Sequence, residues 1–195
     1  MASTTVCTVL AFLAVVSTAS ALKWGRCNVK SLVEDFSLVE FQGVWYEVAY
    51  TDNVPVATGA RCQFGEYRVS GMDKVYFKLG AVYDDDDSNT TSIIEGYASV
   101  DEKDQSLWTV QESRFERAMK YWIVDTDYRT FAFVHSCQNM FLFWREEFTW
   151  VISRTRVLSE DSIVNVQGRF IASGLDGTSL LLINQEDCTQ INGRD

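Results

Sequence analysis

Short segments rich in β-branched and aromatic residues recur along most of the chain, and this regular spacing constrains the fold most strongly. Turn-forming Gly, Asp and Ser residues separate the segments. Between them, no stretch shows the 3.6-residue apolar period of a helix. The pattern predicts an all-β domain of eight antiparallel strands in up-and-down order, either a sandwich or a closed barrel. The predicted strands span 44–50, 64–69, 75–83, 92–100, 106–112, 121–126, 131–137 and 148–154.

One later segment has a helical pattern instead. Ser159 is a good N-cap, and two acidic residues follow it in the first turn, where the helix dipole favours them. Ile163, Val166 and Phe170 then repeat at helical spacing, and Gly174 can end the helix. The sequence therefore predicts one α-helix after the last strand.

The N-terminus has the features of a secretory signal peptide. An apolar run over 9–16 precedes small residues that end in Ala19-Ser20-Ala21, an A-x-A cleavage site. A membrane anchor would need about 20 apolar residues, and this run is shorter. We expect residues 1–21 to be removed and 22–195 to form one secreted, extracellular domain.

Cysteine usage supports an oxidising compartment. Cys7 falls within the predicted signal, which leaves Cys27, Cys62, Cys137 and Cys188. Four cysteines in a secreted chain predict two disulfides, and the residues alone allow three pairings. With no C-x-x-C motif and one histidine, a metal site is not expected.

Charge and sequons limit the partners. The formal net charge of −10 argues against nucleic acid, which requires a basic surface. Asn89-Thr90-Thr91 is an N-glycosylation sequon, expected in a polar loop. The acidic run over 84–87 lacks the interleaved ligands and glycine of a calcium loop, so we interpret it as solvated.

Three short motifs, in this order, resemble the sequence patches of the lipocalin family, over roughly 27–188. They are Gly43-Val44-Trp45, Thr126-Asp127-Tyr128 and the Arg154 that ends the last predicted strand. The resemblance implies a closed eight-stranded barrel with the helix packed outside. It also implies a structural role at the closed end of the barrel, where Arg154 lies across Trp45, for Gly43, Trp45, Thr126, Asp127, Tyr128 and Arg154.

Within that family the chain looks most like the apolipoprotein D group, which includes insect bilin-binding proteins and crustacean carotenoid carriers of the crustacyanin type. The similar stretches are 45–49, 61–62, 94–98, 121–124, 135–137 and 148–150. The resemblance implies the disulfides Cys27–Cys137 and Cys62–Cys188.

Strand alternation identifies candidate cavity residues. If Trp45 points inward, Glu47 and Ala49 should also do so, and Trp150 and Ile152 share the face of Arg154. The resemblance adds four more residues to the lumen: Tyr67, Phe77, Leu79 and Tyr83. The alternative is that all these side chains fill a dry core.

Two further features have alternative interpretations. His135 could bind a haem, as one histidine does in some lipocalins, but we expect a structural or surface role. The run 140–144 joins the last two strands, unless it is itself strand. If it is an exposed loop, Phe141, Phe143 and Trp144 could contact lipid or lipoprotein.

The function that fits these features best is carriage of a small hydrophobic ligand, with no cofactor required. The candidate ligands are a bilin or other pigment such as a carotenoid, a retinoid, a steroid or a fatty acid. The chain has no credible catalytic motif, so we do not expect an enzyme. Two alternatives stay open: a lipocalin-type isomerase, which needs a free thiol, and a secreted inhibitor that binds proteins through its loops. Assembly into oligomers also stays open.

Overall fold

A computed structural model describes residues 22–51, 59–85, 88–111, 118–177 and 180–189. Within them, the helices are α1 (Leu38–Phe41) and α2 (Glu160–Ala172). The strands are β1 (Leu22–Trp24), β2 (Gly43–Thr51), β3 (Ala60–Val69), β4 (Lys74–Asp85), β5 (Ser88–Val100), β6 (Leu107–Val110), β7 (Met119–Thr126), β8 (Phe131–Asn139), β9 (Trp144–Ser153) and β10 (Leu180–Leu182).

Strands β2 to β9 form a closed antiparallel barrel. Each strand pairs with its neighbour in sequence, and β9 also pairs with β2, which joins the two ends of the sheet. This arrangement confirms the predicted up-and-down barrel of eight strands. Two short strands extend it, since β1 pairs with β9 and β10 pairs with β2.

Several strands are longer than the sequence pattern predicts. Strand β3 begins at Ala60 instead of residue 64, and β9 begins at Trp144 instead of residue 148. The β8–β9 pairing extends as far as Asn139 opposite Arg145, so the hairpin continues beyond the apolar alternation. Strand β5 begins at Ser88 and thus includes Asn89, which places the sequon in a strand and not in the expected polar loop.

Helix α2 confirms the predicted single C-terminal helix. The Ser159 hydroxyl accepts a hydrogen bond from the Ser162 N–H and caps the first turn. Val166 and Phe170 are buried against an outer face of the barrel that includes Phe133. The helix therefore packs outside the barrel, as the family resemblance implied.

An ion pair also anchors α2. The Arg169 guanidinium binds both carboxylate oxygens of Asp125 on β7, with an Nε–Oδ2 distance of 2.7 Å. The Asp125 side chain is almost fully buried, so this pairing compensates a charge that would otherwise lie unpaired beneath the helix.

The C-terminal tail forms part of the barrel wall. Strand β2 pairs with β3 only over Gly43–Tyr46, and β10 pairs with the later part of β2. Beyond β10, the Asn184 carbonyl accepts a hydrogen bond from the Cys62 N–H on β3. The Gln185 amide donates to the carbonyls of Glu47 and Gln63, so the tail bridges β2 and β3 where they separate.

Two disulfides fasten the ends of the chain to the barrel. Cys27 pairs with Cys137 on β8, and Cys62 on β3 pairs with Cys188 in the tail. These pairings confirm the connectivity that the family resemblance implied. The predicted signal peptide, residues 1–21, lies outside the described residues, and no described helix is long and apolar enough to cross a membrane.

Candidate ligand-binding cavity

One end of the barrel is closed by a tryptophan beneath an arginine. Trp45 is fully buried, and the Arg154 guanidinium carbon lies 3.7 Å from its ring centroid. Among the described residues, the guanidinium donates hydrogen bonds to backbone oxygens only. These acceptors are the carbonyls of Tyr128, Val44, Glu40 and Phe41, at 3.0, 3.0, 3.1 and 3.3 Å.

The residues around this closed end have structural contacts. Gly43 has a φ of 102°, and a Cβ there would lie only 3.3 Å from the Arg154 Nη1 atom. The Thr126 hydroxyl donates to the Phe131 carbonyl at 2.7 Å, and the Tyr128 hydroxyl accepts from the Ser37 N–H at 3.0 Å. These contacts bind the closing segments to one another.

Asp127 organises the β7–β8 turn. Its carboxylate accepts hydrogen bonds from three successive N–H groups. Partial burial acts to raise the pKa of Asp127, but these backbone donors outweigh it and lower the pKa below its ordinary value. The carboxylate is therefore a turn-forming group directed at its own backbone.

Above the closed end, the barrel encloses a cavity of about 240 Å³. A single water requires only roughly 10–15 Å³ on this measure, so the lumen is a cavity and not a filled core. Most of its lining is aliphatic or aromatic. The lining residues are Glu47, Gln63, Tyr67, Phe77, Leu79, Gly80, Ala81, Tyr83, Ser92, Ile94, Ala98, Trp108, Val110, Tyr121, Ile123, Val134, Trp150 and Ile152.

Seven of the eight residues proposed from the sequence border this cavity, and Ala49 does not. Strand β2 has a β-bulge between Glu47 and Ala49, where the register against β9 shifts by one residue. The bulge reverses the alternation of β2. Ala49 therefore lies in the outer cluster with Phe133 and Phe170, between the barrel and α2. The placement of Ala49 in the lumen was wrong for this reason.

Sequence reasoning also missed lining residues. Gln63 lies within a second bulge, between Arg61 and Phe64 of β3, where Cys62 has a φ of 57°. Trp108 lies on β6, outside the family motifs, and Tyr121 lies on β7, in a stretch similar to the apolipoprotein D group that was not assigned to the lumen. Strict two-residue alternation along the predicted strand 121–126 places Tyr121 and Ile123 on one face and could have identified both as lining residues. The bulge at Gln63 has no signal in the sequence.

Glu47 is the ionisable carboxyl of the cavity. Burial raises the pKa of Glu47 to about 7, well above the ordinary value of a carboxyl group. Burial also raises the pKa of the Tyr67 hydroxyl, with a further contribution from the nearby Glu47. Tyr67 therefore remains a neutral hydroxyl that can donate a hydrogen bond, while Glu47 is near its midpoint at neutral pH.

His135 lies outside the cavity. It precedes Cys137 on the outer face of β8, where its Nδ1 atom is 2.8 Å from the Thr149 hydroxyl. Burial lowers the pKa of His135 to about 4. His135, Cys137 and Glu147 offer potential ligand atoms within 4.8 Å of one another, but the Cys137 sulfur is committed to a disulfide. A haem in the lumen could not reach this histidine.

The loop between β8 and β9 exposes a group of apolar side chains. Phe141 is 79% exposed, Phe143 54% and Trp144 43%. Trp24 of β1 packs against both Phe143 and Trp144, with ring centroids 5.5 and 5.4 Å apart, and is itself 67% exposed. We call this group, Trp24, Phe141, Phe143 and Trp144, the aromatic loop cluster.

Comparisons with known proteins agree with this architecture. Apolipoprotein D of Macaca fascicularis is 24% identical over 170 residues, which cover 86% of this chain and 87% of that protein. The crustacyanin-A1 subunit of Homarus gammarus is 25% identical over 144 residues, 71% of this chain and 73% of the subunit. The structure of insecticyanin from the tobacco hornworm Manduca sexta has a TM-score of 0.70 at 20% identity, over 84% of this chain and 88% of that one.

A sequence model of the family described as the lipocalin-like domain matches residues 36–185. The match spans the closed end, every strand of the barrel and helix α2. The chain therefore belongs to the lipocalin family.

Proposed function

We propose that this protein carries a small hydrophobic molecule in the barrel cavity. The observation that carries the proposal is the cavity itself: about 240 Å³, lined mainly by apolar side chains and closed at one end by Trp45 and Arg154. Small-molecule sites are built in this way, with an apolar lining and a few polar groups that orient the ligand.

The preferred ligand is a pigment, either a bilin or a carotenoid. This preference rests on the resemblance of the chain to pigment-carrying lipocalins of arthropods. Retinoids, steroids and fatty acids are the alternatives. The test is the visible absorption spectrum of the protein purified from its native source. A band in the visible region supports a pigment, and its shape separates a bilin from a carotenoid; a colourless protein overturns the pigment assignment.

A recombinant test examines the cavity directly. Leu79→Trp adds an indole inside the barrel and should abolish the quenching of tryptophan fluorescence by apolar probes. Val164→Trp places the same residue on the exposed face of α2 and should leave binding unchanged. Equal binding by both variants would contradict carriage in the lumen.

We propose a carrier in preference to an isomerase because the two disulfides leave no free thiol among these four cysteines. Cys27, Cys62, Cys137 and Cys188 are all paired, and none of them borders the cavity. A thiolate nucleophile would need a free cysteine. Thiol titration of the secreted native protein should find none; a reactive thiol would favour the enzyme.

We also propose secretion after cleavage behind Ala21, with a glycan on Asn89. Both disulfides support an oxidising compartment. N-terminal sequencing of protein collected from the culture medium of eukaryotic cells should begin at Leu22. Enzymatic removal of N-glycans should lower the mass of the protein and leave the mass of Asn89→Gln unchanged.

The aromatic loop cluster favours contact with a lipid or lipoprotein surface as a second role. Trp24, Phe141 and Phe143 are more than half exposed, and contact with lipid would remove their apolar surface from water. Trp is also well suited to the boundary between lipid and water. Phe141→Ser, alone and with Trp144→Ser, should reduce co-sedimentation with phosphatidylcholine vesicles. Val164→Ser with Ile171→Ser, two exposed residues of α2, provides the matched control. Unchanged vesicle binding by the loop variants would rule out the role.

A further inference from the structure

The cavity contains one acidic side chain that lacks a partner. Glu47 lies on β2 directly opposite Ile152 of β9, and both line the lumen. Among the described residues, the Glu47 carboxyl has neither a hydrogen bond nor an ion pair, although its own backbone carbonyl binds Gln185. The Glu47 carboxyl borders the lumen, so a molecule bound there can supply the missing hydrogen-bond partner.

The electrostatic environment of Glu47 limits the chemistry of that partner. The described lining includes no lysine, arginine or histidine. The other titratable groups that face the lumen are the hydroxyls of Tyr67 on β3, Tyr83 on β4 and Tyr121 on β7. No cation in this lining can therefore neutralise an anionic ligand.

We infer that Glu47 makes the cavity select apolar ligands that present an N–H or O–H group and discriminate against ligands whose polar group is a carboxylate. This inference rests on the proposed carrier function and narrows its ligand class. An N–H or O–H donor satisfies the buried carboxylate with a charge-assisted hydrogen bond. A ligand carboxylate would add a second negative charge in the same apolar space, unless the pair takes up a proton.

The two ligand classes should respond to pH in opposite directions. A ligand that donates a hydrogen bond to Glu47 favours the ionised carboxyl, so its affinity should rise as pH increases through about 7. A carboxylate ligand must share a proton with Glu47, so its affinity should fall over the same range. Fatty acids, one of the candidate ligand classes, should therefore bind weakly at neutral and alkaline pH.

Retinol and retinoic acid provide a matched pair of probes, because they differ chiefly in a hydroxyl against a carboxylate. Quenching of tryptophan fluorescence by each probe would be titrated at pH 6 and pH 8. We expect the wild-type protein to bind retinol at least about tenfold more tightly than retinoic acid at pH 8. We expect Glu47→Gln to remove most of this preference and its pH dependence. Glu95→Gln, which removes an exposed carboxyl outside the cavity, should retain both.

The outcomes separate this inference from the proposed function. If both probes bind and the preference is the same in wild type and Glu47→Gln, the selective role of Glu47 is wrong while carriage stands. If neither probe nor a neutral fluorescent naphthylamine binds to the wild-type protein, carriage itself is overturned.

Discussion

The Arg154 side chain supplies hydrogen-bond donors to several backbone carbonyls at the closed end of the barrel. Its guanidinium satisfies four carbonyl groups and covers the face of Trp45. Arg154→Ala should lower the free energy of unfolding by about 2–4 kcal/mol, because it removes hydrogen bonds to the partly buried carbonyls of Tyr128 and Val44 and uncovers the indole. Arg68→Ala, at a largely exposed side chain, should leave the free energy of unfolding nearly unchanged in the same denaturant titration. Equal losses would show that the guanidinium is not a structural group.

His135 should make stability depend on pH in the acid range. Burial lowers its pKa from 6.5 to about 4, with Glu147 acting to raise it and Lys23 and Arg145 to lower it. The unfolded chain therefore binds the proton more readily. The contribution of neutral His135 to the free energy of unfolding is complete above pH 6.5. It is lost as pH falls towards 4, and the loss is on the order of 3 kcal/mol.

The matched variant for this effect is His135→Asn. Its amide can retain the hydrogen bond to the Thr149 hydroxyl, and it does not titrate. Unfolding free energies measured from pH 7.5 to 4 should fall less steeply for the variant than for wild type. Parallel curves would mean that His135 does not contribute.

At the scale of the element, the bulge in β2 assigns neighbouring residues to different environments. Glu47 borders the cavity, whereas Ala49 packs against Phe133 and Phe170 beneath α2. Ala49→Glu would bury a carboxylate with no partner there, and should cost about 3 kcal/mol or more of unfolding free energy. Ala81→Glu, within the cavity lining, should instead weaken the binding of apolar probes with a smaller loss of stability. The reverse pattern would place Ala49 in the lumen.

The strands could be predicted from the sequence because their two-residue period is a local property. That period places Trp45 with Glu47, and Trp150 with Ile152, on a shared face, and Glu47, Trp150 and Ile152 border the cavity. The bulges could not be predicted in this way. Val48, the extra residue of β2, is a normal strand former, and Cys62 adopts its positive φ without the glycine that would mark such a site.

At the scale of the whole molecule, the barrel depends on a tail far from it in sequence. Gln185 joins the backbones of Glu47 and Gln63, and the Cys62–Cys188 disulfide fixes the tail in place. No local pattern predicts this contact, because it depends on the register between strands that are more than 120 residues from the tail. The tail is therefore a part of the barrel wall as well as an end of the chain fixed by a disulfide.

Cys62→Ser with Cys188→Ser should test the tail as a wall. Loss of this long-range link should cost about 2–4 kcal/mol of unfolding free energy. It should also weaken the binding of apolar probes, because the wall beside Glu47 would open to water. Cys27→Ser with Cys137→Ser should cost a similar amount but leave probe affinity unchanged in protein that is still folded. A loss of affinity in both pairs would mean that the tail has no specific role at the cavity.

The contacts of Arg154 also determine which residues at the closed end of the barrel can be substituted. Within the described part of the chain, each hydrogen bond from Arg154 ends on a main-chain oxygen, and a main-chain oxygen is present whichever amino acid occupies the position. Only the arginine and the indole beneath it are specified by this contact. The residues that supply the acceptors can be substituted without loss of these hydrogen bonds. Chains that retain only a quarter of their residues in common can therefore keep the same closed end while the cavity above it adapts to a different cargo.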